Sequence, residues 1–232
     1  MRIAVISDIH SNLYALIRVI EDIDSQNVDT VICLGDLVGY GPQPNEVIAM
    51  VKRRAFLCIK GNYDTSVVDN GFTYIRDTNI NSFSLPWTVD ELRASNKYYL
   101  ENLPDSISLK IDNKKILFVH GSPNKIDEYL YENNPDLDTI VERIDEDILV
   151  CAHTHIPMVK QLNNKMIINV GSVGKPKNGS PDSTYAIIDI SKGRSARAEI
   201  RKVSYEYKRI MKDMEMKKFP PTLIHSYETG YE

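Results

Sequence analysis

Five short apolar runs, at residues 3–6, 31–34, 55–59, 115–119 and 148–151, each read as a buried strand and stop close to residues able to ligate a metal. They lead into Asp8 and His10, Asp36, Asn62, His120, and His153 with His155. The chain contains five histidines; four follow these runs and only His225 lies elsewhere. After the first run, Leu13, Leu16, Ile17 and Ile20 recur at helical spacing, which predicts a helix over 12–26. Strand, helix and strand in that order imply a right-handed parallel βαβ unit. Ligands of such units bind beyond the carboxyl ends of the strands, where Asp8 and His10 fall.

The rest of the chain extends this pattern. The second run passes into a loop rich in glycine, Gly35 to Pro42, and a helix is predicted over 44–54. Residues 65–104 change character and form a helical excursion from the sheet. They either cap the cleft or pack as core, and the aromatics there, Trp87 included, are assigned to core. Within the excursion, Thr88-x-x-Glu91 has the form of a capping box and predicts a helix that ends near Leu103-Pro104. From Ser106 the apolar period becomes two, giving a hairpin around Asp112-Asn113 and, after a helix at 136–144 and the fifth run, a second around Asn163-Asn164. Strands at 184–190 and 195–203 precede a helix at 204–217. The polar tail over 219–232 is expected to be poorly ordered. One domain spans 1–232.

Composition removes several function classes. No apolar run approaches the length of a membrane span. A net charge of −4 gives no footprint for nucleic acid or anionic lipid. Arg194, Arg197, Arg201 and Lys202 alternate with apolar residues, as on the polar face of a half-buried strand. The three cysteines each lie in an apolar run, the pattern of core thiols in a reducing, cytoplasmic setting.

Each strand-end residue alone has a structural reading: a helix cap for Asp8, a turn for Asp36 or Asn62, a surface imidazole for His120. Taken together, Asp8, His10, Asp36, Asn62, His120, His153 and His155 are too many ligands for one ion. They suit two metals that share a carboxylate, set to clamp the two oxygens of a displacement. Imidazole, carboxylate and amide oxygen together fit Mn, Fe, Zn, Co or Ni better than Mg or Ca, with Mn the ion expected to support activity in vitro.

Asp8-x-His10, Gly35-Asp36, Gly61-Asn62-x-Asp64, His120-Gly121 and Ala152-His153-Thr154-His155 resemble, in order, the motif set of the calcineurin-like metallophosphoesterases. The stretch from Gly35 to Glu46 and Asn169-x-Gly171-Ser172-Val173-Gly174 are similar to the compact bacterial and archaeal branch. The resemblance implies a four-layer α/β/β/α sandwich of two mixed sheets with a dimetal site at the strand ends. It places Asp8, His10 and His155 on one metal, Asn62, His120 and His153 on the other, and Asp36 between them. The activity implied is hydrolysis of a small phosphorylated substrate, by in-line attack of a hydroxide that bridges the metals.

Asn62, Tyr63 and Asp64 are the catalytic loop on this reading, with one departure. The family carries histidine as general acid where this chain has Tyr63. A phenol, with a pKa near 10 against about 6.5 for imidazole, is a poorer proton donor at neutral pH. Phosphodiesters or activated phosphates are therefore expected over alkyl monoesters. Asn12 is a phosphate contact or a helix N-cap, and Ser172 is a candidate substrate contact. Gly171 to Lys175 lacks the length and the Ser/Thr of a P-loop, although its amides are candidates to face the metals. Two rivals are a metal-binding scaffold of the same fold with weakened catalysis and a dimetal hydrolase of carbon–nitrogen bonds.

Overall fold

In the computed structural model, which describes residues 1–193 and 195–231, the first apolar runs form a parallel ladder. β1 (Arg2–Ile6) is followed by α1 (Leu13–Ser25), β2 (Thr30–Cys33), α2 (Pro44–Arg53) and β3 (Leu57–Cys58). β1 pairs in parallel with β2, Ile3 opposite Thr30 and Ile6 opposite Cys33, and β2 pairs in parallel with β3. The third strand is only two residues long, because Ala55 takes a left-handed φ of 52° and breaks the run expected over 55–59.

The excursion carries three helices, α3 (Asn62–Asp69), α4 (Asn79–Glu91) and α5 (Ala94–Glu101), with a non-helical segment at 70–78 between the first two. Thr88 does not start a helix. It lies inside α4, where its hydroxyl donates back to the Ser84 carbonyl, and α4 itself is capped by the Thr78 side chain. Trp87 packs on Phe219 at 4.7 Å, as core.

The second half supplies β4 (Ser106–Ile111), β5 (Lys114–Val119), α6 (Leu137–Glu142), β6 (Ile148–Cys151), β7 (Met158–Leu162) and β8 (Lys165–Asn169). Left-handed φ values at Asn163 and Asn164 close the hairpin between β7 and β8. β9 (Ser183–Asp189) returns antiparallel to β1, and β10 (Arg197–Val203) pairs beyond it. Arg201 and Lys202 are paired with Asp22 and Asp182; Arg194 lies outside the described residues. α7 (Tyr207–Met216) and α8 (Pro221–Thr229) finish the described chain. The tail expected to be disordered is therefore a helix: Leu223, Ile224 and Tyr227 are buried, and Gly230 closes it at φ 66°.

The result is two mixed five-stranded sheets, β10-β9-β1-β2-β3 and β4-β5-β6-β8-β7. Ile3, Val5, Ile32, Leu34, Phe118, Val150 and Ile168 meet between them. Each such side chain contributes about 1.5–3 kcal/mol on burial. A second core under α1, α2, α7 and α8 covers the outer face of the first sheet, and a smaller one under α6 covers the second. No described helix is long and apolar enough to cross a membrane. Because β1, β2, β3, β5 and β6 present their carboxyl ends on one side, the two sheets aim their polar termini at one another there.

Candidate metal centre

Local backbone geometry turns the strand ends inward. Asp8, His10, Asp36, His153 and His155 all hold φ between 47° and 65°, a region that costs a non-glycine residue about 1 kcal/mol or more. Main-chain bonds hold these turns: Asp8 N donates to Gly35 O at 3.1 Å and His10 N to Asp36 O at 2.9 Å. The β2 and β3 ends touch only because both carry glycine. A Cβ on Gly35 would lie 2.2 Å from Gly61 N, and one on Gly61 would lie 2.1 Å from Asp36 Oδ1.

Seven side chains converge in the resulting pocket. His10 Nε2 lies 3.2 Å from His155 Nε2, and that same His155 atom is 3.2 Å from Asp8 Oδ1. His120 Nε2 is 2.9 Å from Asn62 Oδ1, and the His120 and His153 rings are 5.2 Å apart. Asp36 stands between the two groups. Its Oδ1 accepts from Tyr63 N at 2.8 Å, while Oδ2 is 3.6 Å from His10 Nε2 and 3.5 Å from His120 Nε2. His225 is on the surface, its side chain 68% exposed.

The donor set fits divalent cations. His10, His120 and His155 each have Nδ1 against a carbonyl, of Val38, Leu34 and Lys175. A carbonyl only accepts, so Nδ1 carries the proton. Nε2 of each ring is then directed into the centre. Burial, with the positive potential of neighbouring groups second, holds His10 and His153 well below the usual imidazole range, so both are neutral ligands. Two lone pairs 3.2 Å apart repel unless a cation lies between them. Metal–ligand bonds of about 2.0–2.2 Å place neighbouring ligand atoms about 3.0–3.5 Å apart, close to the separations here. Asp8 Oδ1 and His153 Nε2 are also buried with no hydrogen-bond partner, which an ion would satisfy.

Burial disfavours the charged form of both carboxylates, and it leaves Asp36 well above the usual carboxylate range, with the charges of Asp8 and Asp64 adding to the effect. A cation beside Asp36 removes that penalty.

Three residues expected at the chemistry do other work. Asn12 caps α1 by accepting from Ala15 N, and its amide donates to Gly174 O and Tyr205 OH. These bonds occupy it as a structural clamp. Ser172 Oγ donates to Asp8 O and accepts from Lys175 N. The amides of Gly171, Ser172, Val173, Gly174 and Lys175 are likewise spent on internal acceptors, so none faces the centre. Asp64 accepts from Leu37 N, Val38 N and Gly61 N. It is fully buried and acts by positioning the Asp36 and Asn62 loops.

A cleft of about 380 Å³ opens over Asp36, Asn62, His153 and His155. Its outer wall includes Tyr40, Tyr74, Arg76, Asn81, Tyr129 and Lys177, none of which the sequence singled out. Arg76 and Asn81 come from the excursion, which therefore serves as both core and cleft wall. Tyr129 comes from an irregular segment with no periodic signal. Tyr63 also lines the cleft and donates its phenol proton to Asn81 Oδ1.

Comparison with known proteins agrees with this geometry. The calcineurin-like phosphoesterase superfamily domain matches residues 1–193. An uncharacterized protein of Methanocaldococcus jannaschii is 33% identical, with 95% of each chain covered. Phosphodiesterase YfcE of Escherichia coli K12 is 26% identical over 82% of this chain and 88% of its own. The crystal structure of a metallophosphoesterase from Sphaerobacter thermophilus superposes with a TM-score of 0.81 at 29% identity, covering 99% of both chains. With fold, strand-end residues and sequence in accord, the chain belongs to the calcineurin-like phosphoesterase superfamily.

Proposed function

We propose that this protein is a dinuclear metal-dependent phosphoesterase acting on phosphodiesters or activated phosphates. The observation that carries the reading is Asp36, whose Oδ2 is nearly equidistant from an imidazole of each ligand group, at 3.6 and 3.5 Å. Asp8, His10 and His155 would hold one ion and Asn62, His120 and His153 the other, with Asp36 shared. Two divalent ions supply Lewis-acid polarisation of phosphoryl oxygens and an activated water as nucleophile. Mixed nitrogen and oxygen donors favour Mn, Fe, Zn, Co or Ni, with Mn the ion to test first.

The protein's own groups set substrate scope. Tyr63 directs its proton at Asn81, leaving no imidazole acid at that position for a departing alkoxide. Phenolates and phosphates leave without that help, so aryl diesters and anhydrides are the favoured substrates. Relatives that include a phosphodiesterase support this choice. Three free, buried cysteines support a reducing, cytoplasmic setting.

The test is turnover of bis(4-nitrophenyl) phosphate and of an alkyl monoester by manganese-loaded protein, with and without chelator. Chelator-sensitive turnover of the diester, well above the monoester, is expected. Tyr63→His should raise the monoester rate. A competing reading, a metal-binding scaffold with weakened catalysis, is favoured by the same Tyr63–Asn81 bond. It predicts two bound ions and no turnover of either substrate.

A further inference from the structure

The segment between α3 and α4 is held over the cleft by two adjacent residues of the Asn62-Tyr63 pair. Asn62 Nδ2 donates directly to Tyr74 O at 2.9 Å. Tyr63 acts through Asn81: the phenol donates to Asn81 Oδ1, and Asn81 Nδ2 donates to Arg76 O at 2.8 Å. Asn81 is buried and fixed in turn at the start of α4, where its backbone N–H donates to Thr78 Oγ1 at 3.2 Å. Between the two anchored carbonyls Ile75 is buried, so the backbone of 74–76 is pinned at three successive residues. Arg76 itself is exposed and lines the cleft. Its guanidinium lies 5.0 Å from the centroid of the Tyr129 ring, and that ring is 4.1 Å from the ring of His153. A cation is thus held on the cleft wall, linked to a ligand of the centre through a single aromatic ring.

From this we infer that Arg76 is a specificity-determining residue for substrates bearing a second anionic group, such as a further phosphate, beyond the phosphoryl group at the metals. Tyr63 and Asn81 are the positioning residues that hold it there. The inference rests on the proposed phosphoesterase reading for the position of the first phosphate. It gives Tyr63 a role distinct from proton transfer, because the phenol donates to Asn81 and Asn81 in turn holds the Arg76 backbone. A planar guanidinium is suited to a phosphate, which it grips through two parallel hydrogen bonds.

The experiment is calorimetric titration of the manganese-loaded protein with ethyl phosphate and with ethylene glycol bisphosphate, which differ by one distal phosphate. Wild type is expected to bind the bisphosphate roughly tenfold or more tightly, the scale of one charge-assisted contact. Arg76→Ala should erase that preference while leaving ethyl phosphate binding in place, and Arg76→Lys should retain part of it. Tyr63→Phe and Asn81→Ala should each lose most of the preference. Tyr63→Phe combined with Arg76→Ala should be no worse than Arg76→Ala alone, as for residues acting through one contact. Equal affinities in wild type, or an unchanged preference in Arg76→Ala, would overturn the specificity role. A full preference in Tyr63→Phe, or losses that add in the double variant, would overturn the positioning role. Because binding is read without turnover, a protein that keeps the preference but hydrolyses nothing would sink the enzyme reading and support this one.

Discussion

Within the Asp8–His10–His155 half only His155 reaches the main cleft, whereas every residue of the Asn62–His120–His153 half lines a cavity. Asp8 and His10 have no exposed surface. His10 is wedged edge-on between Tyr40 at 4.8 Å and Tyr63 at 5.2 Å, so its ring is also part of the core. In the other half, Asn62 and His153 face the main cleft and His120 faces a second cavity of about 410 Å³. The donor types are nearly the same, and the enclosure differs. His10, enclosed in the more closed half, therefore carries packing energy as well as metal affinity, while a ligand in the open half carries chiefly affinity.

The largest effect should come from the residue common to both halves. Asp36→Asn is expected to weaken both ions and lower diester turnover on the order of 10³-fold. Elemental analysis of that variant decides the point, and loss of a single ion would put the shared ligand elsewhere. Next, His10→Ala and His153→Ala should each release one ion but differ in stability. Urea unfolding of the metal-free proteins should show a loss of about 2–4 kcal/mol for His10→Ala, which opens a cavity in the core, and under about 1 kcal/mol for His153→Ala. Equal losses would break the contrast. The third effect is kinetic: a competing chelator should remove the ions in two phases, the faster from the open half. His153→Ala, lacking that ion, should retain only the slower phase.

The smallest effect tests a site outside both halves. Asp22 accepts from Tyr185 OH at 2.6 Å and from Arg201 Nε and Nη2 at 3.1 and 3.0 Å. Burial pushes this half-buried carboxyl up, but the Arg201 and Tyr185 bonds win, and its pKa lies below the ordinary value. A depressed carboxyl pKa stabilises the fold above the unfolded value of about 3.9 and ceases to do so as pH falls through the lower folded value. Asp22→Asn should thus cost about 1 kcal/mol at pH 7, after discounting for solvent screening. The gap from wild type should narrow below about pH 4, with metal content unchanged throughout. A gap that widens with acid would reverse the assigned sign.

Much of the architecture and all seven candidate ligands were legible because the signals are local. A strand shows as an apolar run, a helix as a period of 3.6, and a ligand as a polar residue where a buried run stops. Errors arose where a local signal had more than one physical outcome. Thr88-x-x-Glu91 has the composition of a cap, yet Thr88 lies within α4 and bonds backwards to Ser84. Pro220-Pro221 reads as a break, yet Pro221 occupies the first position of α8, where a missing N–H is harmless.

By itself the sequence determined that buried strands would deliver imidazoles, carboxylates and an amide to one end of the fold, because strand order and residue type are written along the chain. Only the tertiary structure decided which of those groups face one another and which polar neighbours are spent elsewhere. Asn12 meets Gly174 and Tyr205, Ser172 meets Asp8, and Tyr63 reaches Arg76 through Asn81. A hydrogen bond depends on a few tenths of an ångström between atoms that packing brings together. The first two of these pairings join residues more than 160 positions apart, and no periodicity along the chain encodes them.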